Sequence, residues 1–221
     1  DVIAPAMPEA PAVPIALTGE DLSCLRGGRI VFARLGFRLE AGGALVLVGP
    51  NGSGKSTLLR LMAGLIRPFS GRIAWAGPGE APAVAYVGHA DAVKPALSAL
   101  ENLTFWASLA DPADARVRAL SALEAAGLDA IAEVPGRYLS AGQKRRLALA
   151  RLDAAPARLW LLDEPTVGLD AAAVRRLEER LDRHLAEGGM VALATHTEIR
   201  LPRTETLDLG AYAVPVGEAV W

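Results

Sequence analysis

The sequence predicts an α/β fold with a block of helices inserted between two groups of strands. Three observations predict it. Ala44–Val48 is an unbroken apolar run that leads into Gly49-Pro50-Asn51-Gly52-Ser53-Gly54-Lys55-Ser56-Thr57. Further apolar runs, Leu159–Leu162 and Met190–Ala194, come late in the chain. Between about residues 96 and 152 the spacing of apolar residues turns helical. Continuous apolar runs suit strands buried on both faces of a parallel sheet. Strands, helices, then strands again make the helices an insertion into an α/β core.

Each element follows from local signals. Residues 1–14 are rich in Ala, Pro and Val and carry no lysine or arginine, so they lack a signal peptide's charged start. A disordered or extended leader is expected, with Met7 as an alternative start. Residues 15–221 are expected to form one domain. Ala44–Val48 is a strand, Gly49–Gly54 its turn, and Lys55–Leu65 a helix with Leu58, Leu59, Met62 and Leu65 on its apolar face. Arg72–Trp75 and Val84–Val87 are shorter strands. Helices are expected over Ser98–Ala110, over Pro112–Ala126 with Asp111 as cap, and over Ser140–Ala154. The strand Leu159–Leu162 ends in Asp163-Glu164, Asp170 caps a helix to Ala186, and Met190–Ala194 runs up to His196.

Bulk properties exclude several function classes. The chain has 221 residues, enough for one domain with a sizeable core. A net charge of −2 and a pI near 6.0 carry no nucleic-acid signature, so no nucleic-acid partner is expected. The single cysteine, Cys24, cannot form an internal disulfide and fits a reducing compartment. The hydrophobic share is 52%, yet no uncharged apolar run has the length of a spanning helix. The expectation is a soluble chain whose membrane role, if it has one, needs a separate subunit.

The phosphate chemistry is carried by Gly49–Thr57, which fits G-x-x-x-x-G-K-[ST] with a strand before and a helix after. Its glycines let backbone N–H groups approach phosphate, and the helix end adds a favourable dipole. Lys55 is expected on the β- and γ-phosphates, and Ser56 on Mg²⁺. Asp163 is the expected metal-associated acid, and Glu164 the base or water-positioning group. His196, at the C-terminal end of a strand, faces the crevice where open α/β sheets bind ligands. An ordinary glycine-rich turn, a solvated acid pair and a structural histidine are the plain alternatives. Together the residues favour the nucleotide reading.

Leu139-Ser140-Ala141-Gly142-Gln143 adds a second signal. With the phosphate loop, Asp163-Glu164, Gly168-Leu169-Asp170 and His196 in order, the chain resembles the nucleotide-binding subunit of an ABC transporter. The resemblance spans about Ile15 to Leu209, and it implies a P-loop NTPase fold of the ABC type with an inserted helical subdomain. It implies ATP hydrolysis with Mg²⁺ between two copies of the chain. Lys55, Ser56, Asp163, Glu164 and His196 of one copy would meet Ser140 and Gly142 of the other, with Ala141 and Gln143 beside them. Ser140 at a helix start offers a hydroxyl, free N–H groups and a positive dipole end. Asp170 resembles the acid of the loop crossing the dimer interface, and it is also an ordinary N-cap. Lys144-Arg145-Arg146 reads as a mostly solvated basic face that can also favour phosphate.

Two positions depart from the family pattern. His89 stands where a glutamine usually senses Mg²⁺ and couples to the membrane subunit. Arg26 falls where an aromatic usually stacks on adenine; a guanidinium can stack as well, and Val31 with Phe32 can add apolar contact. Val87-Gly88-His89, Leu97–Leu103, the Ala141-bearing pentapeptide, Leu159–Pro165 and Glu187–Val191 together are similar to one branch, the ATP-binding subunit of the bacterial haem exporter of cytochrome c maturation. That resemblance implies a peripheral subunit on the cytoplasmic face of the inner membrane. Its partners would be integral permease subunits and, indirectly, a haem chaperone. No haem-attachment motif surrounds His89, His184, His196 or Cys24, so haem belongs to the partners. Another ABC exporter or importer ATPase shares the same chemistry and remains open. So does, with less support, a soluble non-transport ABC ATPase. A nucleotide-binding module without turnover sits poorly with Glu164 and His196.

Overall fold

The computed structural model describes residues 15–196 and 199–214; the expected leader, residues 1–14, lies outside them. Strands β1 (Ala16–Arg26) and β2 (Arg29–Glu40) form an antiparallel hairpin that the sequence analysis did not anticipate. The Gly27-Gly28 turn has φ of 56° and 76°, the doubly left-handed geometry that tight hairpins favour. Then come β3 (Ala44–Val48), α1 (Lys55–Met62), β4 (Ser70–Ala76) and β5 (Val84–Val87). The helices α2 (Ala99–Ala110), α3 (Ala115–Ala125) and α4 (Ala141–Ala154) follow. The chain continues through β6 (Leu159–Asp163), α5 (Ala171–Ala186), β7 (Met190–Ala194) and β8 (Thr204–Asp208).

Among the described residues the strands form two sheets. One is antiparallel in the order β2-β1-β4; the other has the order β5-β6-β7-β3-β8 with every pair parallel. In β6 and β7 every residue is buried. Alternate residues go to opposite layers, as a pleat dictates. Leu159, Leu161, Met190 and Ala192 pack with α1 and the antiparallel sheet, whereas Trp160, Leu162, Val191 and Leu193 pack with α4 and α5. Each such leucine contributes about 1.5–3 kcal/mol of burial. Helices α2, α3 and α4 surround an apolar cluster of their own, built on Leu100, Leu103, Leu123 and Leu147. Helix α4 faces both ways, because Leu149 and Leu152 belong to the layer under the parallel sheet.

Two helix boundaries differ from the sequence expectation. Helix α1 stops at Met62 rather than Leu65. Gly64 takes φ 69°, the Leu65 amide bonds back to the Arg60 carbonyl at 3.0 Å, and Leu65 is left 61% exposed. Helix α3 starts at Ala115 rather than Pro112. The Asp111 carboxylate accepts from the Ala113 amide at 2.9 Å, and Asp114 is left-handed, so a local turn occupies the expected first helical turn.

The topology sets up a crevice. Strand β7 lies between β3 and β6, so the C-terminal ends of all three emerge side by side. The Gly49–Gly54 loop leaves β3 there, Asp163 closes β6, and Thr195-His196 follow β7.

Candidate active site

The loop after β3 is shaped by close packing. A Cβ at Gly54, where φ is 101°, would stand 2.8 Å from side-chain atoms of both Val31 and Phe32. Only glycine fits where β2 presses on the loop. Ser53 and Lys55 are buried. Lys55 Nζ donates to the Gly49 carbonyl at 2.7 Å and to that of Pro50 at 3.3 Å, so the ammonium is held over the concave side of the loop.

Helix α1 places Ser56 against the end of β6. Ser56 Oγ donates to Asp163 Oδ1 at 2.9 Å. Asp163 is 2% exposed, and its Oδ2 is buried with no hydrogen-bond partner. A carboxylate oxygen in that state wants a cation or a donor. Among the described residues no group of three or more His, Cys, Asp or Glu could hold a metal ion. A hydroxyl and one carboxylate, with phosphate and water completing the shell, is the donor set that suits Mg²⁺.

Glu164 follows in a left-handed backbone conformation, φ 49°, held by its amide donating to the Ala194 carbonyl at 2.8 Å. The His196 amide donates to Glu164 Oε2 at 3.3 Å, and His196 Nε2 lies 3.5 Å from Oε1. Glu164 is largely covered, while His196 is exposed. The neighbouring ends of β6 and β7 thus bring acid and imidazole together.

One open cleft of about 610 Å³ joins these groups. Asn51, Gly52, Gly54, Lys55, Ser56 and Thr57 line one wall, and Asp163, Glu164 and His196 the other. Arg26 and Val31 from the β1–β2 hairpin and His89 from the loop after β5 complete it. Val167, 55% exposed at the rim, was not anticipated. Ser140–Gln143 and Asp170 are not in this cleft. Ser140 caps α4 in a reciprocal pair with Gln143: Ser140 Oγ accepts from the Gln143 amide at 3.2 Å, and Gln143 Oε1 accepts from the Ser140 amide at 2.8 Å. Asp170 caps α5 by accepting from the Ala173 amide at 2.7 Å, and that bond first of all holds its carboxyl below the usual range. Ser140, Ala141 and Asp170 are exposed.

The basic face expected at Lys144-Arg145-Arg146 is solvated only in part: Lys144 and Arg146 are half-buried and Arg145 is interior. Arg145 is 4% exposed. Its guanidinium bonds the carbonyls of Asp163, Glu164 and Gly88. Arg146 reaches the Gly127 carbonyl at 3.2 Å, past the C-terminal end of α3. Apolar periodicity could not reveal this, because a buried arginine looks like a surface one until its acceptors are known.

Comparison with known proteins places this geometry. A family model described as ABC transporter matches residues 32–167. The chain belongs to the ABC transporter family. Among its relatives in that family is the cytochrome c biogenesis ATP-binding export protein CcmA of Paramagnetospirillum magneticum, 55% identical over 206 residues, covering 89% of this chain and 95% of the relative. The CcmA of Rhodospirillum rubrum is 54% identical over 213 residues, covering 93% and 89%. An ATP-binding subunit of an ABC transporter superposes with a TM-score of 0.77 at 25% identity, covering 88% of this chain and 86% of that one. A dimeric ABC cassette in a post-hydrolysis state, bound to ADP and Pi, gives 0.75 at 25% identity, covering 88% and 95%. The α/β fold with its phosphate loop is the ABC-type P-loop NTPase fold.

Proposed function

We propose that this chain is the ATP-hydrolysing subunit of an ABC transporter serving cytochrome c biogenesis. In this reading two copies work head to tail, on integral permease subunits at the cytoplasmic face of the bacterial inner membrane. Turnover drives haem export or the release of a haem-loaded chaperone outside. The observation that carries the reading is the meeting of Lys55, the Ser56–Asp163 pair and the Glu164–His196 pair in one cleft. The relatives' name supports the cytochrome c branch. Among the described residues no helix is long and apolar enough to cross a membrane, so permease partners would supply the path.

The loop N–H groups and Lys55 bind and orient the polyphosphate. Ser56 and Asp163 would hold Mg²⁺, which supplies charge neutralisation on the phosphate oxygens. Glu164 orients water in line with the γ-phosphate and takes its proton. His196 steadies the Glu164 carboxylate and donates toward the γ-phosphate. Ser140, exposed at the positive end of α4, completes the site of the second copy. Dimeric cassettes among the solved neighbours support the pairing.

The test is size-exclusion chromatography of Glu164→Gln at saturating Mg·ATP. The expected result is a dimer that disperses when nucleotide is removed. A chain that stays monomeric overturns the paired site. Co-purification from membranes tests the transporter assignment, with integral subunits expected to accompany the chain.

A further inference from the structure

The guanidinium of Arg145 gathers main-chain and side-chain acceptors from separate segments. Nη2 donates to the carbonyls of Asp163 at 2.8 Å and Glu164 at 2.6 Å, and Nε to that of Pro165 at 3.4 Å. Nη1 donates to the Gly88 carbonyl at 2.9 Å and to Asp91 Oδ1 at 3.2 Å. Arg145 itself stands in the first turns of α4, just behind the Ser140 cap.

A planar, permanently charged group with five donors suits such a task, whereas a lysine ammonium does not. Stability alone gives no reason to bury a charge here, since apolar side chains of similar volume commonly pack as well or better. What the guanidinium adds is fixed geometry, and it acts on strained backbone. Glu164 is left-handed at φ 49°, a state that persists only where its surroundings over-determine it. Its carbonyl receives Arg145 Nη2 at 2.6 Å, the shortest of that residue's backbone bonds, beside Val167 N at 3.3 Å. Further along α4, Arg151 repeats the attachment. Its Nη2 donates to the Tyr86 carbonyl at 3.0 Å, and its guanidinium stacks 4.5 Å from the Trp106 ring. Helix α4 is therefore fastened both to β5 and to the loop that follows it.

We propose that Arg145 is a positioning residue for hydrolysis: it holds Glu164 in its left-handed turn and ties that turn to the Gly88–Asp91 loop and to the helix bearing Ser140. The proposal rests on the reading of Glu164 as the water-orienting group. A displacement of the His89 loop, or of α4 as Ser140 engages a second copy, reaches the Glu164 backbone through one side chain. Arg145 bonds no residue of Gly49–Thr57, the loop read as cradling the phosphates.

The test uses full-length Arg145→Gln, Arg145→Lys, Glu164→Gln and the Glu164→Gln/Arg145→Gln double variant. ATP affinity, single-turnover hydrolysis and melting temperature are measured on each. Affinity is expected within about 2-fold of the parent, with hydrolysis slowed about 10-fold or more in Arg145→Gln and less in Arg145→Lys. In the Glu164→Gln background the Arg145 change is expected to add nothing further, because both act through one group. Parental single-turnover rates in either Arg145 variant, or losses that multiply in the double variant, overturn the proposal. If Arg145→Gln does not fold, Arg145→Lys decides between these outcomes. Parental hydrolysis by Glu164→Gln would instead overturn the role of Glu164, and this proposal with it.

Discussion

Asp163 divides its two oxygens between two tasks: Oδ1 receives the Ser56 hydroxyl at 2.9 Å, and Oδ2 stays buried and unbonded. Ser56→Ala is expected to leave metal-free nucleotide binding intact and to lower Mg²⁺-dependent turnover about 10–100-fold, read from hydrolysis across a Mg²⁺ titration. Unchanged Mg²⁺ dependence would remove Ser56 from the metal site. At this scale the sequence was legible wherever a conformation is written in consecutive residues. The turn at Gly49–Gly54 and the acid pair closing β6 could be read because each is local backbone geometry. Arg145 could not, because its meaning depends on Gly88, Asp91 and Pro165, remote in sequence and near in space.

Among the elements, the caps were legible in part: Asp170 caps α5 as expected, whereas the Asp111 cap expected for α3 fails, because α3 starts after a left-handed Asp114 that makes no side-chain cap bond. Ser98 accepts from the Glu101 amide at 3.1 Å while Glu101 accepts from the Ser98 amide at 2.7 Å, a closed capping box on α2. Ser98→Ala is expected to cost about 1 kcal/mol, lowering the melting temperature by about 2–4 °C. ATP affinity should not change, since the cap lies outside the cleft; a calorimetric scan beside a nucleotide titration checks both. The β1–β2 hairpin escaped the sequence reading for a physical reason. Its register shifts between Gly19 and Leu22 and again around Cys24, and each shift breaks the alternation that announces a strand. Burial also acts on α4: it pushes Arg151 down to about 10, with Asp91 opposing and Arg145 adding to the fall, which leaves the side chain charged near neutral pH.

Two consequences belong to the whole molecule. The His184 ring stacks flat on Trp160, centroids 3.7 Å apart, and burial lowers its pKa from the usual value. The unfolded chain therefore binds a proton that the folded chain resists. This contribution to stability is intact above the unfolded pKa, near 6.5, and is lost as pH falls through it toward the folded value. Melting temperatures should drop more for the parent than for His184→Phe between about pH 8 and about pH 5.5; equal slopes would exonerate the histidine. The second consequence concerns pairing. Lys55→Ala and Ser140→Arg chains should each be inactive alone. Mixed, they should recover turnover, because one heterodimer site then joins an intact Lys55 to an intact Ser140. A mixture as inactive as its parts would mean that the site does not cross between copies.

The sequence by itself determined the strand, turn and helix around Gly49–Thr57, the acid pair at the end of β6, the Ser140 and Asp170 caps and the buried strands. Each depends on neighbours a few residues away, or on an apolar run that can be buried in only one way. Tertiary structure alone decided the contacts that join the ends of β3, β6 and β7, Ser56 with Asp163 and Glu164 with His196, that Arg145 is interior, and that Val167 stands at the rim. The reason is the strand order β5-β6-β7-β3-β8, which sets β3, β6 and β7 side by side. That order is fixed by which apolar faces pack together, and no short stretch of sequence records it.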